Sequence, residues 1–201
     1  MAYCVGLTGG IGSGKSAASS RFEALGAAVV DTDEISRALT APGGAAIAAI
    51  RERFGPQAIG PDGGLDREQM RSLVFRDPPS KQKLEAILHP LIRERTRAAI
   101  VAARAPYVVV VVPLLFETGA CLELVRRVLV VDCDEAEQVR RVTARSGLAP
   151  EEVRRIMATQ LPRAERLRRA DDVLHNDSDM EALRGQVERL HARYLELARQ
   201  G

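Results

Sequence analysis

Gly9-Gly10-Ile11-Gly12-Ser13-Gly14-Lys15-Ser16 is the stretch that decides the fold. It fits a glycine, four residues, a glycine, a lysine and then serine or threonine. It stands between the apolar run Tyr3 to Thr8 and the breaker-free run Ser16 to Leu25. Such a pattern carries chemistry only where a strand enters the loop and a helix leaves it, which is the setting the flanking runs predict. The glycines let consecutive backbone N–H groups turn inward on phosphate oxygens, and a helix starting near Gly14 adds its positive dipole end. Lys15 would neutralise the β and γ phosphates of a nucleoside triphosphate, and Ser16 offers a hydroxyl to Mg²⁺.

Outward from the loop, Gly26 stands where a helix-ending glycine belongs, and Ala27 to Asp31 follows as a second strand, completing a βαβ start. Tyr107 to Val112 and Val128 to Asp132 are valine-rich runs of the kind buried on both faces of a parallel sheet, and Asp172 to Leu174 is a brief fifth strand. Glu135 to Arg145 and Glu151 to Gln160 read as helices, the second stopping before Pro162. Met180 to Arg199 places Leu183, Val187, Leu190, Tyr194 and Leu197 on one stripe, a docking surface for the core. Between Glu34 and Arg104 the signals are helical. Ile47, Ile50 and Phe54 share a face, Asp66 with Gln69 resembles a capping box, Gly60 to Gly64 is a turn, and Pro90 should break or kink a helix near His89. That crossover is longer than joining two strands requires, so the excess is expected to bind something.

A length of 201 residues suits one compact domain with smaller appendages. No apolar run approaches the roughly 20 residues of a spanning helix and no basic leader precedes the first strand, so the expectation is a cytoplasmic protein with no membrane partner. Cys4, Cys121 and Cys133 are odd in number and scattered, which gives neither a disulfide framework nor a metal-ligand spacing. A net charge of +2 argues against a nucleic-acid partner held by bulk electrostatics.

In open parallel sheets ligands sit beyond the carboxyl ends of the strands. Those ends carry Gly9 to Ser16, Asp31-Thr32-Asp33, Pro113-Leu114-Leu115-Phe116-Glu117, Asp132, and His175 with Asn176. The loop alone leaves kinase, ATPase and GTPase switch open. No Asp-x-x-Gly and no Asn-Lys-x-Asp occurs, which removes the usual apparatus of the switch. Asp31 and Asp132 each follow an apolar strand as a magnesium-binding carboxylate would, whereas the run to Val112 ends in Pro113. Phosphoryl transfer to an alcohol needs a group that orients the hydroxyl and takes its proton, and Asp33 is assigned that role. The competing reading is that Asp31 or Asp33 caps the helix beginning near Glu34. Arg140, Arg141, Arg145, Arg154, Arg155, Arg163, Arg166, Arg168 and Arg169 crowd the segment between the last two strands, which reads as a lid. Most are expected to be solvated, with Arg141 and Arg145, four apart on one helix face, as the pair that meets the transferring phosphate. His89 reads either as a structural group at a helix break or as a contact for the acceptor.

Six segments in order then carry a resemblance: Gly6 to Ser16, Asp31-Thr32-Asp33, Leu88-His89-Pro90-Leu91-Ile92, Pro113 to Glu117, Gln138 with Arg141 and Arg145, and Ala170-Asp171-Asp172-Val173 followed by Asn176. Over nearly its whole length the chain resembles the dephospho-CoA kinase family. Thr32 stands where the family more often has alanine, and Ser16 where it often has threonine. The resemblance implies ATP-dependent phosphorylation of the ribose 3′-hydroxyl of dephospho-CoA, the last step of coenzyme A synthesis. It implies an α/β P-loop fold with a nucleoside-monophosphate-kinase-like core of five parallel strands and helices on both faces. Residues 1–34, 105–138 and 170–201 would form that core, 35–104 a helical domain for the CoA moiety, and 139–169 the lid. Asp33, Lys15, Arg141 and Arg145 would be catalytic. ATP would be held by Gly10, Ile11, Gly12, Ser13, Gly14, Lys15, Ser16, Ala17 and Asn176, with Mg²⁺ on Ser16 and Asp31 as a second candidate ligand. Asp33, Arg37, His89, Leu114, Leu115 and Glu117 would contact the acceptor. The partners implied are ATP and dephospho-CoA, on a monomer or small homo-oligomer.

Overall fold

The computed structural model describes residues 2–177 and 179–200, so Met1, Ser178 and Gly201 of the expected core lie outside the described residues. The chain runs β1 (Tyr3–Gly9), α1 (Lys15–Ala24), β2 (Ala28–Asp31), α2 (Thr32–Leu39), α3 (Ile47–Phe54), α4 (Arg67–Arg76), α5 (Pro78–Ala102), β3 (Tyr107–Val111) and α6 (Leu115–Thr118). It continues with β4 (Arg127–Asp132), α7 (Glu135–Ser146), α8 (Pro150–Ala158), α9 (Arg163–Arg169), β5 (Asp172–His175) and α10 (Met180–Gln200). Two compact units result. One comprises the chain up to Asp31 together with everything from Ala99 onward, and the other is Thr32–Ala98. Residues 139–169 fall within the first unit.

The first unit is built on a five-stranded sheet of order β2-β3-β1-β4-β5, every pair parallel. Register partners in adjacent parallel strands share a face. Leu7 stands beside Val111 and Leu129, and Val131 beside Leu174. With Val5 and Val109 these side chains form one apolar face, closed by Phe22 of α1 and by Leu183, Val187 and Tyr194 of α10. The stripe expected on the last helix is therefore its docking face. On the opposite face Gly6 leaves a hollow that Leu115 and Val125 fill, since a Cβ there would meet Leu115 Cδ2 at 3.0 Å and Val125 Cγ2 at 3.3 Å. Any larger residue at position 6 would push α6 off the sheet. Gly26, at φ 98°, ends α1 in the left-handed region that only glycine enters without cost, and the chain turns into β2.

The second unit encloses its own core of Leu39, Ala46, Ile50, Ala58 and Met70, against which Phe54, Leu84, Ile87, Leu88 and Leu91 pack. Half of the expected capping box forms. Asp66 Oδ1 accepts the Gln69 N–H at 2.9 Å, but the Asp66 N–H donates to the Ala58 carbonyl at 2.9 Å instead of to Gln69. The cause is the antiparallel bridge between Ile59 and Leu65, which flanks the 60–64 turn and brings Asp66 alongside Ala58. A break at Pro90 does not occur: α5 runs unbroken through it. Proline inside a helix costs about 3 kcal/mol, and five apolar side chains of α5, Leu84, Ile87, Leu88, Leu91 and Ile92, hold the helix against the core on both sides of it.

Candidate active site

All five strands run parallel, so their carboxyl ends line one edge, with the phosphate loop leaving the central strand there. α1 begins at Lys15 with Gly14 as its cap, at φ 99°, and no side chain caps it. The cap is a glycine, so it brings no side chain of its own to the N–H groups that open the helix, the end at which an anion is favoured. Lys15 Nζ donates to the carbonyls of Gly9 and Gly10 at 2.8 and 2.9 Å, folding its charge over the loop. Ser16 is exposed on the first turn of α1 beside it.

The loop glycines answer to a second demand that the sequence did not reveal. A Cβ on Gly12 would lie 2.7 Å from Val142 Cγ2, and one on Gly14 would lie 2.1 Å from Asn176 Nδ2. On Gly10 it would meet Gln138 Oε1 at 2.5 Å and Arg166 Nη2 at 2.9 Å. Helix α7, Asn176 and Arg166 thus press directly against the backbone of the loop, so these positions are glycine for packing as well as for phosphate. Asn176 is buried and donates Nδ2–H to the Ser13 carbonyl at 2.7 Å. It supports the loop through that backbone bond.

Asp132, one of the two carboxylates that follow an apolar strand as a magnesium-binding carboxylate would, is engaged otherwise. Arg163 Nε and Nη2 each donate to it at 2.8 Å, and this bond holds its carboxyl below the usual range despite burial. Arg163 and Arg166 are accordingly not the solvated arginines expected of them. Both belong to α9, a third helix of the arginine-rich segment that the sequence reading did not separate. Arg166 is buried, its Nη1–H donates to the Leu161 carbonyl at 2.7 Å, and burial lowers its pKa. The preceding residues are tied down as well. Gln160 Oε1 accepts the Ile11 N–H at 3.0 Å, and Glu117 Oε1 accepts the Leu161 N–H at 2.7 Å. A single segment, 160–166, therefore touches the phosphate loop, the stretch after β3 and the end of β4. Sequence reasoning missed Gln160, named Gln138 only within the resemblance, and counted Arg163 and Arg166 among the lid arginines without this role. Only the spacing Arg163-x-x-Arg166 just after Pro162, placing both on one helical face, could have hinted at it.

Arg141 lies at the loop, its Nη1 3.9 Å from the Cβ position of Gly14, with Nε donating to Glu137 at 2.7 Å and Nη2 to the Asn176 carbonyl at 3.0 Å. Arg140 and Arg141 together hold the Glu137 carboxyl down to about 2. Arg145 is exposed at the end of α7. After β3, Leu114 and Glu117 are exposed, but Leu115 is wholly buried against Gly6. Its expected contact with substrate is corrected on that ground: it is a packing residue. The remaining expected residues, Asp31 apart, sit in the second unit. Asp33 is exposed in the first turn of α2, which starts at Thr32 rather than near Glu34, with Arg37 exposed in the last turn. His89 is half-buried in the middle of α5, not at a break. Asp31 closes β2, next to Val111. Among the described residues no helix is long and apolar enough to cross a membrane.

A phosphate loop after the central strand of a five-stranded parallel sheet, with a helix starting behind it, defines a P-loop nucleotide-binding protein. Residues 3–182 match the family model described as dephospho-CoA kinase, and the chain belongs to that family. A dephospho-CoA kinase of Nitrosospira multiformis is 53% identical over 194 residues, covering 96% of this chain and 97% of that one. Among solved structures, a Thermus thermophilus protein is 35% identical with a TM-score of 0.78, covering 96% of this chain and 97% of the other. Dephospho-CoA kinase from Campylobacter jejuni, 23% identical, shares the fold with a TM-score of 0.71 over 98% of each chain.

Proposed function

We propose that the chain transfers the γ-phosphoryl group of ATP to the ribose 3′-hydroxyl of dephospho-CoA, yielding CoA and ADP, in the cytoplasm. The observation that carries the reading is the loop itself: Lys15 folded onto Gly9 and Gly10 in front of a helix end that no side chain caps. In this reading the loop amides and Lys15 hold the β and γ phosphates, and Asp33 orients the acceptor hydroxyl and takes its proton. Arg141 and Arg145 face the transferring group, and residues 139–169 act as the lid. Arg37, His89, Leu114 and Glu117 are acceptor contacts on a domain formed by residues 35–104.

The residues fit a magnesium ion held mainly through the phosphates. The Ser16 hydroxyl is exposed at the start of α1, while Asp132 is withdrawn by Arg163. Ser16 would hold the ion, with Asp31 as a second ligand, and the ion would supply charge neutralisation between the β and γ oxygens.

Incubation with ATP and dephospho-CoA, followed by ³¹P NMR, should show a new 3′-phosphomonoester together with ADP. Phosphorylation of a nucleoside monophosphate but not of dephospho-CoA would overturn the reading.

A further inference from the structure

The arginines of residues 139–169 are not equivalent. Arg140 and Arg141 are paired with Glu137, Arg154 with Glu151, Arg163 with Asp132, and Arg168 and Arg169 with Glu165. Arg145 and Arg155 are exposed. Arg166 differs from all of them: it is 8% exposed, forms no ion pair among the described residues, and engages one donor, Nη1, with a carbonyl oxygen. A guanidinium carries five N–H donors and does not give up its charge, so a buried one without a counter-ion is costly. Its Nη2 lies 2.9 Å from the Cβ position of Gly10, the residue whose carbonyl receives Lys15 Nζ at 2.9 Å. Lys15 and Arg166 therefore converge on one residue of the phosphate loop. Beside them Gln138, 1% exposed, keeps Oε1 buried without a hydrogen-bond partner, while its Nε2–H is fixed on the Cys133 carbonyl at 2.7 Å. A buried cation with spare donors therefore stands at the loop that would hold a triphosphate.

We infer that Arg166 of α9 is a further catalytic arginine, which contacts the terminal phosphoryl group of the bound nucleoside triphosphate alongside the arginines of α7. The inference deepens the kinase reading and rests on it. As the ribose oxygen forms its bond to the γ phosphorus, the bond from that phosphorus to the β–γ bridging oxygen breaks. The electron pair leaves on ADP, and the hydroxyl proton passes to the base. Arg166 faces the equatorial oxygens, where charge is spread during transfer, and its remaining N–H groups are matched to them. The carbonyl of Leu161 holds the guanidinium in place, so no side-chain rearrangement of the exposed surface is required.

The test uses the whole chain with Arg166→Gln and Arg166→Lys, the lysine keeping a cation that can still reach the Leu161 carbonyl. Steady-state kinetics with ATP and dephospho-CoA should show kcat reduced about 10²- to 10³-fold in both variants, with KM for ATP altered far less. Calorimetric titration should show ADP binding unchanged. Formation of the complex with ADP, aluminium fluoride and dephospho-CoA, which mimics the transferring phosphoryl group, should be lost. A kcat within tenfold of the parent, or a fall in kcat matched by an equal loss of ADP affinity or of folding, overturns the assignment in favour of a strut for residue 161. Failure of the unaltered chain to form the aluminium fluoride complex would instead sink the kinase reading beneath it.

Discussion

Arg163 grips Asp132 through two parallel hydrogen bonds of 2.8 Å, fastening the start of α9 to the carboxyl end of β4. Asp132 is 4% exposed, so removing the arginine strands a carboxylate in a nearly dry place. Arg163→Met should cost about 3 kcal/mol in urea unfolding at neutral pH. The pH dependence follows from the depressed Asp132 pKa. The stabilisation is present in full above the unfolded carboxylate value of about 3.9 and is lost as pH falls through the lower folded value. The gap between parent and variant should be widest near neutrality and shrink as pH falls below about 4 toward the lower folded value, where Asp132 of the folded parent protonates. A gap independent of pH would show that the pair is not its source.

Gln160 ties residues 160–166 to the loop through the Ile11 N–H. Gln160→Ala should free that amide and speed its hydrogen exchange by about fivefold, the worth of a net hydrogen bond of about 1 kcal/mol, with little change at the amides of β1. Equal acceleration across β1 would mean that the substitution loosens the sheet instead.

Asn176 and Gly14 should behave as a coupled pair. Asn176→Ala orphans the Ser13 carbonyl and should cost about 1–3 kcal/mol with a raised KM for ATP. Gly14→Ala adds a Cβ 2.1 Å from Asn176 Nδ2 at φ 99° and should be worse in both respects. In the double variant the steric part of the Gly14 penalty should be relieved, so the two costs, read by thermal unfolding, should sum to more than the observed loss.

Asp172 anchors the other end of β5, accepting from Arg127 Nε at 2.9 Å, Arg193 Nη1 at 2.8 Å and the Tyr194 hydroxyl at 3.1 Å. Tyr194→Phe should cost about 1–2 kcal/mol and Asp172→Ala about 3 kcal/mol, with kcat unchanged in the folded fraction. A fall in kcat would contradict a purely structural role at this strand end.

Asp33→Asn should lower kcat by about 10²–10⁴ while ATP binding survives, since a positioned base contributes on that scale. Near-normal turnover would retire Asp33 as the base and leave it as one of the two acidic residues of the first turn of α2.

Much of the fold was legible because its signals are local. The loop from Gly9 to Ser16, the valine runs of β3 and β4 and the apolar stripe of α10 each declare themselves within a few residues of chain. Position along the chain also located the loop, Asp31, Pro113 to Glu117, Asp132 and Asn176 at strand ends, because parallel strands carry their carboxyl ends to one edge. Pro90 does not break α5, because its local penalty is outweighed by packing of the helix that no short window contains. Leu115 misled because its neighbours Leu114 and Glu117 are exposed, while only Gly6, more than a hundred residues earlier, explains where its own side chain goes.

The amino-acid sequence by itself determined that this chain binds phosphate on a loop between a strand and a helix, since glycine freedom, a lysine and a helix start are properties of adjacent residues. Tertiary structure alone decided which charges remain to act there. Glu137, Asp132 and Glu165 neutralise most of the nearby arginines, and Gln138, Asn176 and Arg166 press on the loop glycines. A charge is spent or kept according to what lies within about 4 Å of it in space, and that distance joins residues far apart in sequence.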